Sequence, residues 1–179
     1  MLFRSLDLRS IALPYLVTLA DATSEAINLA IFDQDEVLYL HRIDSPMPVR
    51  AYAPLGNRAP AYCTSTGRAM LAYGSDEVIK RVSARIKRHT DRTIASSREL
   101  MSELRKVRQA GYAINRGEWR DSVHGVAAPI WDRNGLVTAA VGLTGPAERM
   151  SSRRLGQLAK AAVKTAAAIS AALGYRKAA

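Results

Sequence analysis

The chain has 179 residues, 48% hydrophobic and 23% charged, which suits one soluble globular domain with a sizeable core. No apolar run is long enough to cross a bilayer; the longest, residues 159–173, is interrupted by Lys160 and Lys164. The first ten residues carry Arg4, Asp7 and Arg9 instead of a signal-peptide core, and the single Cys63 cannot close an internal disulfide, so a cytoplasmic protein is expected.

The formal net charge is +10 and the pI is near 10.2. Such a balance attracts nucleic acid or acidic small molecules. The basic residues gather between Lys80 and Arg92 and between Arg98 and Arg108. Both stretches have helical spacing with the charges opposite an apolar stripe. That pattern favours solvated helix faces over a nucleic-acid groove, and few aromatics interleave with it to stack bases.

In chain order, Leu8, Ile11, Ala12, Tyr15, Leu16 and Leu19 predict an amphipathic helix over residues 6–22. Pro14 lies inside it, so the helix is expected to start late or to kink there. Residues 26–32 alternate as a strand, Asp33-Gln34-Asp35 is a polar turn, and residues 37–43 form the partner strand. A third strand is expected over residues 47–53, followed by a loop marked by Pro54, Gly56 and Pro60. Thr64 or Ser65 caps a short helix reaching Tyr73, Ser75 caps the next, and Ser96 with Glu99 has capping-box spacing before a helix ended by Gly111. Residues 112–115, 123–131 and 136–144 read as three more strands, the last two joined by the Asp132-Arg133-Asn134-Gly135 turn. A final helix opens at Ser151 and ends at Gly174. Six strands joined mainly by hairpins, with helices before, between and after them, predict an α+β fold with a mainly antiparallel sheet covered by helices on both faces.

One segment carries site chemistry. Tyr62-Cys63-Thr64-Ser65-Thr66-Gly67 places hydroxyls and a glycine at a helix start, whose free N–H groups can hold a carboxylate or phosphate. Gly67, lacking a Cβ, is expected to let a ligand approach the backbone. Self-capping by the same hydroxyls is the commoner use of such a segment.

Three stretches together resemble the effector-binding domain of the IclR family of bacterial transcriptional regulators. The first is Leu8-Arg9 with Ala12, Pro14 and Leu16, then Ile27-Asn28-Leu29-Ala30. The second is Pro60 with Thr64, Gly67, Arg68, Ala69 and Leu71. The third joins Gly111-Tyr112-Ala113, Glu118, Val126-Ala127-Ala128-Pro129-Ile130, Asp132, Gly135 and Gly145-Pro146. The resemblance implies a GAF-like fold whose pocket lies between the sheet and the segment after Pro60, taking a small organic acid as effector. It implies ligand contacts at Ser65, Thr66, Gly67, Asn115, Gly125, Gly142 and Thr144. It further implies dimers or tetramers formed through this domain, and a winged helix-turn-helix DNA-binding domain that precedes it and is absent from residues 1–179. DNA contact would belong to that domain.

This sequence departs from the family pattern at four positions. Tyr62 stands where His is common, Asn115 where an acid is frequent, Gly125 where Cys, Ser or Ala is usual, and Gly142 where Ser is common. The two glycines are expected to enlarge the pocket for an acid larger than pyruvate. Tyr62, Cys63, Glu118 and Trp131 are candidate wall residues, with Trp119 a further one.

Other chemistry is disfavoured. Cys63 has no histidine at a persuasive spacing, and His41, His89 and His124 form no ligand set with it, so neither a nucleophile nor a metal is expected. Asp121, Ser122 and His124 hold triad residue types, but strand neighbours point to alternate faces. Glu118 between Arg116 and Arg120 either orients the pocket loop or forms an exposed ion pair. The expected function is a ligand sensor without cofactor or catalytic residues. The alternatives are a GAF-like enzyme acting on a small carboxylate and a non-specific nucleic-acid-binding module.

Overall fold

The computed structural model describes residues 2–50 and 56–176. It opens with helix α1 (Leu2–Thr23), which buries Leu8, Ala12, Leu16 and Leu19 as one stripe. The expected late start at Pro14 is not found, because the helix runs through the proline. Pro14 sits on the solvent side, and the Ser10 carbonyl that loses its helical partner is also on an exposed residue. Water can satisfy it there, which lowers the cost of an interior proline.

Six strands follow: β1 (Ala26–Asp33), β2 (Glu36–Ile43), β3 (Arg58–Pro60), β4 (Ala113–Arg116), β5 (Val123–Trp131) and β6 (Val137–Pro146). They form one antiparallel sheet in the order β3-β2-β1-β6-β5-β4. The β1–β2 turn places Gln34 and Asp35 at positive φ, as a tight hairpin requires. The third strand lies later than expected. Residues 47–50 are not in a strand, and residues 51–53 of that expectation lie outside the described residues. Pro46 and Pro48 remove alternate backbone donors there, so pairing passes to Arg58–Pro60, opposite Glu36, Val37 and Leu38.

The helices α2 (Ser65–Leu71), α3 (Asp76–Ser83), α4 (Ser97–Ala110) and α5 (Ser152–Ala172) complete the fold. Thr64, Ser75, Ser96 and Ser151 each cap one of them by accepting a backbone N–H three residues on. Glu99 reaches back to the N–H of Ala95, one residue before the cap. Gly111 ends α4 in the left-handed conformation at φ +78°.

Strand alternation divides the core in two. Ile27, Leu29, Val126, Ile130, Val141 and Leu143 face α1 and α5. Ala30, Val37, Ala113, Ala127 and Ala140 face α2, α3 and α4. Helices therefore cover both faces, as the sequence predicts. The second face is lined by small side chains, so α2 can sit close to the sheet.

Two features fix α2 there. Gly67 lies against the turn Ala61–Cys63, and a Cβ at Gly67 would stand 2.3 Å from the Ala61 carbonyl oxygen and 2.4 Å from its Cα. Arg68 is 2% exposed; its guanidinium donates to the Ile114 carbonyl of β4 and pairs with Glu118 at 3.0 Å.

Gly67→Ala is expected to lower stability by about 3 kcal/mol, since backbone must move to admit the methyl group. Urea unfolding followed by circular dichroism measures this, and an unchanged midpoint would refute the contact. Arg68→Leu strands the Glu118 carboxylate and the Ile114 carbonyl, and should cost about 3 kcal/mol in the same assay.

Candidate functional site

A cavity of about 40 Å³ lies between the sheet and the start of α2. Asn28 enters it from β1, Tyr39 and Arg42 from β2, and Thr144 from β6. Thr64, Ser65 and Thr66 form the α2 side, while Asn115, Trp119, Arg120 and Val123 close it from β4, the following loop and β5. Among the described residues, no Asp or Glu lines it.

A bulge decides which β2 residues reach this cavity. Strict alternation would put Tyr39 and Arg42 on opposite faces. In the ladder, Asn28 opposes Arg42 and Leu29 opposes His41, yet Ala30 opposes Tyr39. Leu40 is therefore the extra residue, and the bulge turns both Tyr39 and Arg42 to the cavity side. Arg42, with its side chain only 7% exposed, donates to Asn28 Oδ1 at 3.2 Å and to Asp44 Oδ1 at 2.7 Å. Asn28 Nδ2 in turn donates to Thr144 Oγ1 at 3.2 Å. A chain of polar contacts thus runs along the floor from the rim at Asp44 to β6.

At the α2 end, Thr64 Oγ1 accepts the Gly67 N–H at 3.2 Å. Helix geometry leaves the N–H groups of Ser65 and Thr66 without an intrahelical acceptor. Thr66 Oγ1 is buried without a hydrogen bond of good geometry, although it lies near enough to the Tyr39 phenol to influence it. Burial pushes that phenol above its ordinary value, against the Thr66 hydroxyl and the Arg42 guanidinium, which favour ionisation.

Asn115 lines the cavity and also holds the neighbouring backbone. Its Oδ1 accepts from Gly117 N at 2.8 Å and Glu118 N at 3.1 Å, and its Nδ2 donates to the Cys63 carbonyl at 3.0 Å. The amide therefore holds the 117–122 loop to the segment before α2. An aspartate here could accept the two N–H groups but could not donate to Cys63, which explains an amide at this position.

The structure corrects three glycine expectations. Gly67 meets Ala61 instead of a ligand. A Cβ on Gly142 would lie 2.7 Å from Thr66 Cγ2, and one on Gly125 would lie 2.7 Å from the Leu143 carbonyl and 2.9 Å from Thr144 Cγ2. The space freed by both glycines is already filled by the threonines and the backbone, so they do not enlarge the cavity. They lie under its floor.

The candidate wall residues separate. Tyr62 is on the outer side of its turn, where its hydroxyl meets His89 Nε2 at 2.9 Å and accepts the Lys87 N–H at 3.0 Å. It borders a different recess, of about 380 Å³. Cys63 is buried, and burial pushes its thiol up to about 12. Glu118 pairs with Arg68 and also accepts the Arg116 backbone N–H. Trp131 lies at the far end of β5 between Tyr73 and Tyr175, while Trp119 lines the cavity under the Arg120 guanidinium, 4.7 Å from the ring centroid. Ser65, Thr66, Asn115 and Thr144 all lie on the cavity lining. Asn28, Tyr39 and Arg42 join them without having been singled out.

A larger groove of about 770 Å³ flanks the edge strand β4. Arg92, Lys106 and Arg116 share it with Asp91, Glu99, Glu103 and Glu118, so its charge is mixed. The smaller cavity gathers polar groups from β1, β2, α2, β4 and β6. Among the described residues, no group of three or more His, Cys, Asp or Glu could hold a metal ion, and no helix is long and apolar enough to cross a membrane.

Residues 2–171 match the family described as bacterial transcriptional regulator IclR C-terminal. The chain is similar to the HTH-type transcriptional regulator KdgR of Escherichia coli strain K12, with 35% identity over 159 residues, 88% of this chain and 60% of KdgR. It therefore spans about 60% of the length of that relative. The crystal structure of the C-terminal domain of E. coli KdgR superposes with a TM-score of 0.84 at 33% identity, covering 94% of this chain and 99% of that one. An IclR homologue from Microbacterium hydrocarbonoxydans, complexed with 4-hydroxybenzoate, gives a TM-score of 0.86 at 26% identity, over 94% of this chain and 69% of that one. The family match over nearly the whole chain, the identity to KdgR and the shared fold together show that the chain belongs to the IclR family of bacterial transcriptional regulators, within the region of their C-terminal domain.

Proposed function

We propose that residues 1–179 form an effector-binding domain that takes a small organic acid in the cavity at the start of α2, and that its occupancy biases an attached DNA-binding domain. The observation that carries this reading is a cavity whose described lining holds two guanidinium groups, the α2 N-terminus and several hydroxyls, with no carboxylate among the described residues. Such a lining favours an anion over a neutral or cationic ligand. The 4-hydroxybenzoate bound by the Microbacterium homologue is an acid of the same broad class. The protein would work in the cytoplasm, and DNA contact would come from the part of the relatives that lies outside the matched region.

Self-association through this domain belongs to the same reading. Leu13 and Val17 on α1 and Val163 on α5 are exposed apolar side chains on the outer layer, at 39%, 45% and 38%. They offer a surface for a second copy, as a dimer or tetramer.

An enzyme is disfavoured by the chemistry of the groups present. A thiol held up to about 12 stays protonated at neutral pH and is a poor nucleophile. Cys63 should therefore react with iodoacetamide in the native chain at pH 8 at least about a hundredfold more slowly than free cysteine, whose pKa is near 8.5. Rapid native labelling, followed by mass spectrometry, would contradict the burial argument.

The acid reading is tested by thermal shift with small carboxylic acids and their matched primary amides. Acids should raise the melting temperature by mass action, and amides should not. Thr66→Val, which keeps the shape and removes the hydroxyl, should weaken acid binding by about tenfold, the scale of one lost hydrogen bond to a charged group. Equal stabilisation by acids and amides would reject the site as an anion receptor.

A further inference from the structure

We infer that the outer face of α5 is a sequence-independent contact for the phosphate backbone of duplex DNA, made through Arg153, Lys160 and Lys164. Base reading would stay with the attached DNA-binding domain, and the contact is separate from the effector cavity.

The basic clusters that stand out in the sequence are residues 80–92 and 98–108. The fold gives several of those charges a counter-ion. Arg81 and Arg85 meet Asp35, Arg88 meets Asp91 and Lys106 meets Glu103. Helix α5 is different. Over Ser152–Ala172 it carries Arg153, Arg154, Lys160 and Lys164, and no Asp or Glu. Arg154 turns towards α1, where it donates to the Thr23 carbonyl and lies 3.6 Å from Glu25. The other three are exposed, and none of them pairs with a carboxylate among the described residues. Their positions return to one side of the helix, after two turns and then one more. They form a stripe about 16 Å long. Over that length one DNA strand presents about five phosphates.

The stripe borders a groove of about 710 Å³ that also touches Ala110 and Tyr112, and no Asp or Glu is among its described lining residues. Gly156 lies in this lining, in the interior of α5. A Cβ there would meet nothing within 4 Å, so no packing within the chain requires a glycine. Glycine weakens a helix interior relative to alanine. What its missing side chain does allow is close approach of another backbone from outside.

Duplex DNA fits this surface better than an acidic protein does. Lysine is depleted from protein–protein interfaces. Cations without fixed partners suit phosphates, whose binding is driven by release of condensed counter-ions. The net charge of +10 attracts the same polyanion. Attachment to a DNA-binding domain would hold α5 near the duplex, where effective concentration makes a weak contact count.

Fluorescence anisotropy of the 179-residue chain with two short labelled duplexes of unrelated sequence tests the inference. The two duplexes should bind within about twofold of each other. Raising salt from about 50 to about 200 mM should weaken binding about fortyfold, as three phosphate contacts with a slope of about 0.9 each require. Replacing the stripe by Arg153→Gln, Lys160→Gln and Lys164→Gln together should weaken binding at least about tenfold at the lower salt and flatten the salt response. All three positions are exposed and glutamine is a good helix former, so the fold should persist, which circular dichroism checks. Lys80→Gln, Arg85→Gln and Lys87→Gln together remove the same charge at exposed positions on and just after α3, which packs on the other face of the sheet. That variant should lose less than about threefold, because salt screens distant charges. Equal losses from the two triple variants would reduce the binding to net charge and overturn the inference. Strong preference for one duplex, unchanged affinity after neutralising α5, or no binding at the lower salt would overturn it as well. Labelled poly-glutamate is the second probe: tighter binding of it than of either duplex, lost in the α5 variant, would give the surface to an acidic protein and overturn the DNA contact.

Discussion

The buried guanidinium of Arg68 is the constraint on which the rest of the site depends. A charge at 2% exposure is tolerated only when its partners are complete. Here they are the Ile114 carbonyl and the Glu118 carboxylate, one on the edge strand and one on the loop beyond it. Satisfying Arg68 therefore draws α2, β4 and the 117–122 loop together. The same arrangement protects the sheet edge. Outward-facing groups of β4 would otherwise offer a template for pairing with another chain. Arg68 covers the Ile114 carbonyl, Arg92 donates to the Arg116 carbonyl at 3.0 Å, and Glu118 accepts the Arg116 N–H. One set of side chains closes the edge and shapes the cavity wall.

With α2 anchored at one end, its depth against the sheet is set by glycines. Gly67 meets the Ala61 backbone, Gly142 meets the Thr66 methyl group and Gly125 meets Leu143 and Thr144. Each contact is too short to admit a Cβ, so a side chain at any of the three would force elements apart. The cavity is small because α2 sits close, and α2 sits close because these positions have no side chains. The glycines thus set the size of the cavity by removing space from it, the reverse of their expected effect.

Much of this is legible in the amino-acid sequence. The caps at Thr64, Ser75, Ser96 and Ser151 follow from side-chain chemistry and local spacing, and so does the hairpin at Gly135. Alternation placed Gly142 and Thr144 on one face of β6, and the family resemblance brought Ser65, Thr66, Asn115 and Thr144 to one site. Long-range and irregular features were not legible. Tyr39 and Arg42 share a face only because of an extra residue at Leu40, which breaks the period that reading a strand relies on. Trp119 and Trp131 are equivalent as residue types; only the sheet register separates the one beside the cavity from the one at the far end of β5. Gly67 and Gly142 are ambiguous in sequence because a missing Cβ can face a ligand or a neighbouring backbone. Pro14 shows a local rule overridden by solvent access on one side of a helix.

The last link is how occupancy could be felt outside the cavity. A ligand shifts a conformational equilibrium only by binding one state better than another. Trp119 and Arg120, on the cavity wall, follow Glu118 directly in the chain, and Glu118 is the partner of Arg68. Any ligand that changes the position of Trp119 or Arg120 acts on that ion pair, and through it on both α2 and the β4 edge. Asn115 ties the same loop to Cys63, immediately before the α2 cap. The loop is thus joined at two points to the element that would hold the acid. Ligand contact at the α2 start and ligand contact at the loop are then coupled, because neither element can shift without straining the buried Arg68 or the Asn115 amide.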